Sequence, residues 1–321
     1  MQKIRNFFIV LSRRGIIALL LAIFYHLKYF FYKNILSFKY LKKKIFNFKM
    51  FLNLNDKGLS RTLILFGERE LDHKIILDKT LKKDMQVLDI GANIGYYLLI
   101  ERHLIGKDAK IIAIEPVADN IKLLRKNLLL NNKEHSTSVI EGAVSNKNGY
   151  DTFYTSKHFN LGTFHFKGSS EKLLDEKSKI KVKKFKLIDI CTKEGFPDLI
   201  RMDVEGHETK ILENLLKNNK KFIKLPLICF ETHISKYDKN NSMKKILKGL
   251  FTIGYKVKLA SSSSVRGTVL LEKNFSYKPI LKPIKTDEEV RNIYKDIKNN
   301  DAIRLICETG GLRTVLLSAK N

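Results

Sequence analysis

The chain has 321 residues, 44% of them hydrophobic, which is enough to bury a large core in one or two domains. Its 60 lysines and arginines against 33 acids give a formal charge of +27, which suits an anionic partner. Lysine, isoleucine and asparagine are abundant throughout, so we assign most of this excess to compositional bias. Three widely spaced cysteines argue against a disulfide framework or a zinc site and fit a reducing cytosol.

Residues 1–50 form a basic, apolar segment, which we separate from a domain over residues 51–321. The segment has eleven lysines and arginines and no acid. Its apolar run, 15–25, is shorter than the roughly 20 residues that span a membrane, and no secretory cleavage site follows it. We expect a helix that lies in an anionic membrane interface or packs on the protein body. A single membrane pass is a third alternative if the run continues to Tyr32.

From about residue 60, short β-rich runs alternate with helical stretches. This order is typical of an α/β fold with right-handed crossovers, a mostly parallel sheet and helices on both faces. The predicted strands are 85–90, 110–115, 136–141, 198–204, 225–231 and 254–259, and the predicted helices are 94–105, 118–131, 207–217 and 242–252. An insert at 150–155 and 179–187 predicts an antiparallel pair near the sheet edge.

The region after residue 260 has a less regular pattern. Residues 267–272 could form a strand that pairs back on the sheet. Thr286 and Glu289 are spaced as in a capping box, which predicts that a helix begins there. Residues 302–307 and 312–318 flank Gly310 and Gly311, which predicts a hairpin.

The sequence VLDIGANIGYY, which begins at Val87, places an acid and two glycines at the end of the first strand of the repeat. In parallel sheets, ligands bind beyond the carboxyl ends of the strands, so Asp89, Gly91 and Gly95 would lie at such a site. A dinucleotide site would have G-x-G-x-x-G, but Ala92 and Asn93 stand within a G-x-x-x-G spacing here. An acid at this point suits a cationic ligand without phosphate, such as S-adenosylmethionine.

The second strand ends in Glu115, whose carboxylate could accept both hydroxyls of a ribose. The same acid occurs in NAD sites, so Glu115 alone does not distinguish the two cofactors. The glycines could also belong to an ordinary tight turn, and Glu115 could be a solvated acid at a strand end.

The chain resembles the FkbM family of S-adenosylmethionine-dependent methyltransferases. The resemblance covers residues 68–260 and is carried by DIGANIG at Asp89 and DVEGHE at Asp203. It implies a class I methyltransferase (Rossmann-like) fold and methyl transfer to oxygen, typically a hydroxyl of a sugar or natural product. The cofactor-binding residues that it implies, together with the acid at the fourth strand end, are Asp89, Gly91, Ala92, Asn93, Gly95, Glu115, Pro116, Glu141, Gly142, Ala143 and Asp203.

The chemistry is expected at the ends of the fourth and fifth strands, where a hydroxyl acceptor needs alignment and removal of its proton. The candidate catalytic residues are Asp203, Glu205, Glu231 and His233. Asp203, Glu231 and His233 could also offer three ligands to Mg²⁺, but no spacing rule singles out such a site, and we assign no metal ligands. His233 could equally be a surface loop histidine.

These observations predict an enzyme that methylates a hydroxyl of a glycan, glycolipid or natural product. Two alternatives remain: an RNA methyltransferase that uses the basic surface, and a membrane-associated scaffold that binds the cofactor without activity. The Asp/Asn-Pro-Pro-aromatic motif of amino-group methylation is absent, so we do not expect a nucleic acid partner. We expect the protein in the cytoplasm, at the inner face of the membrane.

Overall fold

A twisted eight-stranded sheet forms the centre of the protein. The computed structural model describes residues 10–12, 14–156, 162–164, 174–287 and 289–319, without the side chains of 174–177. The strands are β1 Tyr40–Ile45, β2 Phe48–Asn53, β3 Val87–Ile90, β4 Ile111–Glu115, β5 Thr137–Glu141, β6 Ala143–Ser145, β7 Gly149–Ser156, β8 Gly162–Thr163, β9 Leu174–Lys186, β10 Leu199–Met202, β11 Leu227–Glu231, β12 Tyr255–Ser262, β13 Ile284–Thr286, β14 Glu289–Arg291, β15 Ile293–Lys295 and β16 Leu312–Ala319. The strand order of the central sheet is β15-β12-β16-β11-β10-β3-β4-β5.

The α-helices cover both faces of this sheet. They are α1 Ile16–Phe30, α2 Leu59–Phe66, α3 Leu71–Thr80, α4 Tyr96–Ile105, α5 Ala118–Leu130, α6 Leu187–Glu194, α7 Glu208–Lys217, α8 Met243–Thr252, α9 Val265–Val269 and α10 Asn299–Cys307. In α8, for example, Ile246, Leu247 and Leu250 recur at helical spacing and are buried. Short 3₁₀ or π turns occupy Phe31–Ile35, Asn219–Lys221, Ile234–Lys236 and Leu270–Asn274.

Strands β3, β4, β5, β10 and β11 are parallel, and β3 lies between β4 and β10. The chain therefore runs outward from β3 to β5 at one edge and returns to β10 on the other side of β3. Ligands bind at such a reversal of strand order, beyond the carboxyl ends of the strands. This arrangement confirms the predicted class I methyltransferase fold.

Alternate residues of each central strand face opposite sides of the sheet, so two hydrophobic clusters form. Leu88 and Ile90 pack with α6, α7, α8 and α10 on one face. Val87 packs with α2, α3, α4 and α5 on the other. Because both faces are covered, β4 and β11 are apolar up to their last residue, and β3 and β10 are interrupted only by Asp89 and Arg201. This pattern made them recognisable in the sequence.

The predicted C-terminal hairpin and the helix at Thr286 are both wrong. Residues 299–307 form α10, and β16 pairs with β11 and β12 instead of folding back on its neighbour in sequence. Thr286 ends β13, which pairs with β14 across a turn at Asp287. Residues 267–272 are helical and do not form the suggested strand. Pairing with strands distant in sequence explains the position of β16, which local patterns do not indicate, whereas β13 and β14 form a local hairpin.

The insert forms a separate four-stranded sheet in the order β6-β9-β7-β8. The predicted antiparallel pair is confirmed, since β7 and β9 pair along most of their length. Phe153 of β7 and Val182 of β9 point to one side and form a small apolar cluster with Ala143. The insert is thereby attached beside the carboxyl ends of the main sheet.

Strands β1 and β2 form a hairpin that crosses residue 50, where we ended the N-terminal segment. Ile45, Met50 and Leu52 are fully buried in the same cluster as α2 to α5. Apolar residues at every second position, 48, 50, 52 and 54, are a strand signal that the sequence analysis did not use. Residues 40–53 are therefore part of the body of the protein.

Helix α1 packs along α2 with one side and leaves the opposite side exposed. Tyr29 donates a hydrogen bond from its hydroxyl to the carbonyl of Leu54, and the Lys43 ammonium lies 3.6 Å from the Tyr25 ring centre. The helix continues through the π turn to Ile35, beyond the run expected from the sequence. Within the described residues, Ile16–Ile35 is one helix of 20 residues that could cross a membrane by length and composition alone.

Candidate functional site

One continuous pocket opens at the carboxyl ends of β3, β4, β10 and β11. Of the residues predicted to bind cofactor or to act in catalysis, those that line it are Gly91, Ala92, Asn93, Glu115, Pro116, Gly142, Ala143, Asp203, Glu205, Glu231 and His233. Asp89, Gly95 and Glu141 do not line it. The reversal of strand order thus brings most of the predicted site residues to one cavity.

The turn after β3 forms one wall of the pocket. Gly91 and Asn93 have φ of 82° and 51°, left-handed values that glycine and asparagine tolerate. The amides of Gly91 and Ala92 both donate to the carbonyl of Ile114 at the end of β4. Gly95, with φ of 88°, precedes the first residue of α4. The glycines therefore serve this turn, and Gly95 shapes it from outside the pocket.

Glu115 is a nearly buried acid at the end of β4 that faces the pocket. It accepts hydrogen bonds from the backbone amides of Asn93 and Val117 and from the side chain of Asn120. Burial raises the pKa of the Glu115 carboxyl to about 7, although these donors favour the ionised form. The carboxyl group is fixed in place and can still accept hydrogen bonds from a ligand.

Asp89 does not reach the pocket, contrary to its predicted contact with the cofactor. Its side chain is fully buried, and its carboxylate accepts a hydrogen bond from Arg201 at 3.0 Å. Arg201 also lies 3.4 Å from the Asp203 carboxylate and stacks over the Tyr97 ring. Asp89 therefore orients Arg201 beneath the pocket, because a buried carboxylate requires a charged partner. The sequence indicated the acid but not a cation 112 residues away.

The end of β5 forms the opposite wall, and Glu141 points away from it. Glu141 is exposed, whereas Gly142 and Ala143 are buried and line the pocket. The insert contributes Phe153 and Phe164, whose rings stand edge to face at 5.0 Å. These two aromatic residues were missed in the sequence analysis, although Phe153 lies on the predicted strand 150–155. The result is an apolar slot next to Glu115.

The other end of the pocket contains a carboxylate–histidine cluster, which we define as Asp203, Glu205, Glu208 and His233. His233 Nδ1 lies 3.0 Å from Glu208 Oε1, and His233 Nε2 lies 3.4 Å from Glu205 and 3.9 Å from Asp203. Burial disfavours charge on His233, but Glu208, Glu205 and Glu231 outweigh it and raise its pKa well above the usual value. The cluster therefore stabilises positive charge beside the pocket, and His233 is not a surface loop histidine.

Within the cluster, Glu208 holds the other members in place. The carboxylate of Glu208 is fully buried and accepts hydrogen bonds from the amides of Val204 and Gly206. These amides belong to the turn that carries Glu205, which has a left-handed φ of 51°. A non-glycine residue held in this conformation costs about 1–3 kcal/mol and often marks a functional position.

Glu231 forms an ion pair with Arg313, which lies outside the cluster. Arg313 of β16 lies 2.7 Å from the Glu231 carboxylate and 2.8 Å from that of Glu70, which precedes α3. Burial raises the pKa of the Glu231 carboxyl to about 8. Arg313 and Glu70 also line the pocket, and the sequence analysis missed both because they lie outside the recognised motifs.

Three groups at this end could hold a metal ion, although the sequence analysis assigned no metal ligands. One ligand atom each from Asp203, Glu205 and His233 lies within 4.8 Å of the others. The set considered from the sequence contained Glu231 in place of Glu205. Glu231 is instead engaged by Arg313, whereas the left-handed turn at Glu205 brings its side chain to His233.

Comparisons with known proteins identify a methyltransferase family. The family described as "Methyltransferase FkbM domain" matches residues 89–257, more than half of the chain. Ribosomal protein L11 methyltransferase of Ruminiclostridium cellulolyticum is 30% identical over 130 residues, which cover 38% of this chain and 40% of that protein. The match thus spans less than half of the length of this curated relative.

Solved methyltransferase structures are also similar at low identity. The FkbM methyltransferase of Methylobacillus flagellatus is 13% identical, with a TM-score of 0.36, over 73% of this chain and 52% of that one. TYW2 of Pyrococcus horikoshii, in complex with MeSAdo, is 14% identical, with a TM-score of 0.40, over 89% and 80%. The family match includes both sequence motifs, at Asp89 and at Asp203, and extends over more than half of the chain. The chain therefore belongs to the FkbM family of S-adenosylmethionine-dependent methyltransferases.

Proposed function

We propose that the protein transfers the methyl group of S-adenosylmethionine to a hydroxyl oxygen of a sugar, in a glycan or glycolipid, or of a natural product. One observation carries this proposal: Glu115 and three members of the carboxylate–histidine cluster, Asp203, Glu205 and His233, line the same pocket. A cofactor at the first end and an acceptor at the second would share this space.

The residues at the first end fit the cofactor. Glu115 would accept the ribose hydroxyls, and the apolar slot beside Ala143, Phe153 and Phe164 would take the adenine. The backbone of Gly91 and Ala92 would lie along the methionine part, with the Arg201–Asp203 pair at its far end. When bound, the cofactor supplies a methyl group on a positively charged sulfur.

The residues at the second end suit a hydroxyl acceptor. A hydroxyl is a weak nucleophile until its proton is removed or made more acidic, so the site needs groups that assist this loss. The carboxylate–histidine cluster supplies such groups, and Glu231 adds a further carboxylate. Several oxygen acceptors around one cavity also suit a sugar, which presents several hydroxyls.

The test uses the purified protein, S-adenosylmethionine with a deuterated methyl group, and glycan and lipid extracts of the source cell. We expect the labelled methyl group on a sugar ring, as an ether that withstands mild base. A base-labile ester, a labelled RNA or a labelled protein would contradict the proposed acceptor. The variant Asp203→Asn should abolish labelling, and Asp119→Asn, an exposed carboxylate on α5, is the matched control.

We further propose that the enzyme works at the cytoplasmic face of an anionic membrane, with α1 lying in the interface. Ile17, Leu20 and Leu27 on the outer side of α1 are 73%, 58% and 63% exposed. The other side of α1 packs on the protein body, which favours a helix in the membrane plane over a crossing. Exposed lysines at 39, 42, 44 and 49 lie nearby in the chain and would approach anionic headgroups.

A further inference from the structure

The side chains of Asp203, Glu205 and His233 converge on one point of the pocket. The nearest carboxylate oxygens of Glu205 and Asp203 lie 3.4 Å and 3.9 Å from His233 Nε2. These distances are longer than the usual 2.7–3.2 Å of an N–H···O hydrogen bond. Ligands that each lie about 2.1 Å from a shared ion are separated by roughly 3–4 Å. The spacing of these three groups is therefore that of ligands around an ion.

The imidazole is oriented as a ligand. His233 Nδ1 donates to Glu208 Oε1, which leaves Nε2 directed at the two carboxylates. A buried carboxylate that fixes the outer nitrogen of a metal-binding histidine is a common supporting contact in metal sites. Because Glu208 also holds the amides of Val204 and Gly206, one buried side chain positions both His233 and the turn of Glu205.

The side chains around this point carry a net negative charge. Arg313 is engaged by Glu231 and Glu70, and Arg201 lies closer to Asp89 than to Asp203. The carboxylates of Asp203, Glu205 and Glu208 thus outnumber the single positive charge that His233 can carry, and the arginine contact to Asp203 is 3.4 Å long. A bound ion would replace the proton on His233 Nε2. A divalent cation would complete this arrangement, and the open side of the pocket leaves room for further oxygen ligands.

We propose that Asp203, Glu205 and His233 bind a divalent first-row cation of the Mn²⁺ type, on which the acceptor hydroxyl is held. Two carboxylates with one imidazole and open positions suit such an ion. The ion lowers the pKa of the bound hydroxyl. In the transfer, the hydroxyl oxygen bonds to the methyl carbon, the sulfur keeps the electron pair of the broken bond, and the hydroxyl proton leaves to water. This role rests on the proposed function, but the existence of the site does not.

The site is tested by titrating Mn²⁺ into the full chain and following the free ion by electron paramagnetic resonance. We expect one bound ion per chain. Asp203→Asn, Glu205→Gln and His233→Gln should each weaken binding by more than about 100-fold, and Glu208→Gln by about 10- to 100-fold. Glu141→Gln, an exposed acid at the end of β5, should bind as the wild type does.

Thermal unfolding of each variant shows which of them fold. A single folded variant of Asp203, Glu205 or His233 is sufficient to test the metal site. No binding to the wild type in the micromolar to millimolar range would overturn the proposal, as would binding that survives the ligand substitutions. Activity after chelation separates the two proposals. Undiminished methylation without bound metal would overturn the role of the ion and would indicate that the cluster accepts the proton directly. Metal binding without hydroxyl methylation overturns the proposed function alone.

Discussion

The α-carbon of Gly91 lies so close to the backbone carbonyl of Asp203 that a β-carbon on Gly91 would overlap with its oxygen. The two residues follow β3 and β10, which are parallel neighbours, so their turns meet at the floor of the pocket. The glycine is required by this approach as well as by its φ of 82°. Any side chain here would move the turn that begins at Asp203.

The substitution Gly91→Ala should therefore lower stability and cofactor affinity together. The left-handed conformation costs an alanine about 1–3 kcal/mol, and the overlap with Asp203 adds to this. Gly106→Ala is the matched control, since Gly106 has a φ of 91° and no atom within 4 Å of the added carbon. Thermal unfolding and calorimetry should show lost cofactor binding in the first variant only. Equal cofactor affinity in both would contradict the role of the overlap.

Cofactor affinity should fall as the pH decreases through 7. Burial raises the pKa of Glu115 to about 7, so the free protein carries the neutral acid below that pH. Ribose hydroxyls would donate to the carboxylate, and protonation removes this acceptor. We expect roughly tenfold weaker binding for each pH unit below the pKa. Calorimetry from pH 5.5 to 8.5 measures this dependence.

The variant Glu115→Gln should bind weakly and without this pH dependence. Glu141→Gln tests the same change on the residue that pairs with Glu115 across β4 and β5. Because Glu141 is exposed and points away from the pocket, its variant should keep the wild-type profile. An unchanged pH profile in Glu115→Gln would assign the dependence to another group.

Asp203→Asn should reduce kcat while the affinity for the cofactor changes little. If the charge of Asp203 assists loss of the hydroxyl proton, we expect a fall of about 10²–10⁴-fold at saturating substrates. His233→Gln should also be impaired, since Nε2 faces the same point. A fall in cofactor affinity with kcat preserved would instead make Asp203 an anchor for the cofactor.

Membrane binding should depend on the outer side of α1. The double variant Leu20→Lys and Leu27→Lys places charges on two exposed positions and should abolish co-sedimentation with anionic vesicles. Ile223→Lys, at a fully exposed position in another part of the chain, should sediment as the wild type does. Removal of residues 1–50 is a poor test, because it would delete β1 and half of β2, and with them the core residues Ile45 and Met50.

The parallel strands and the cofactor turn could be predicted from the sequence because their causes are local. An apolar run such as 111–114 is buried on both faces. The glycines after β3 mark the turn. The pairing of β16 with β11 and β12 has no local cause, so α10 and β16 were mistaken for a hairpin. The partners of Asp89 and Glu231 are arginines far along the chain, and the acids alone did not identify them.

The position of β16 has a consequence for biosynthesis. The last strand inserts between β11 and β12, and its Arg313 joins Glu231 to Glu70 across the pocket. Because β16 follows β12 in the chain, β11 lacks its antiparallel partner until β16 has been synthesised. Premature release upstream of β16 would thus leave the Glu231 carboxylate without its arginine.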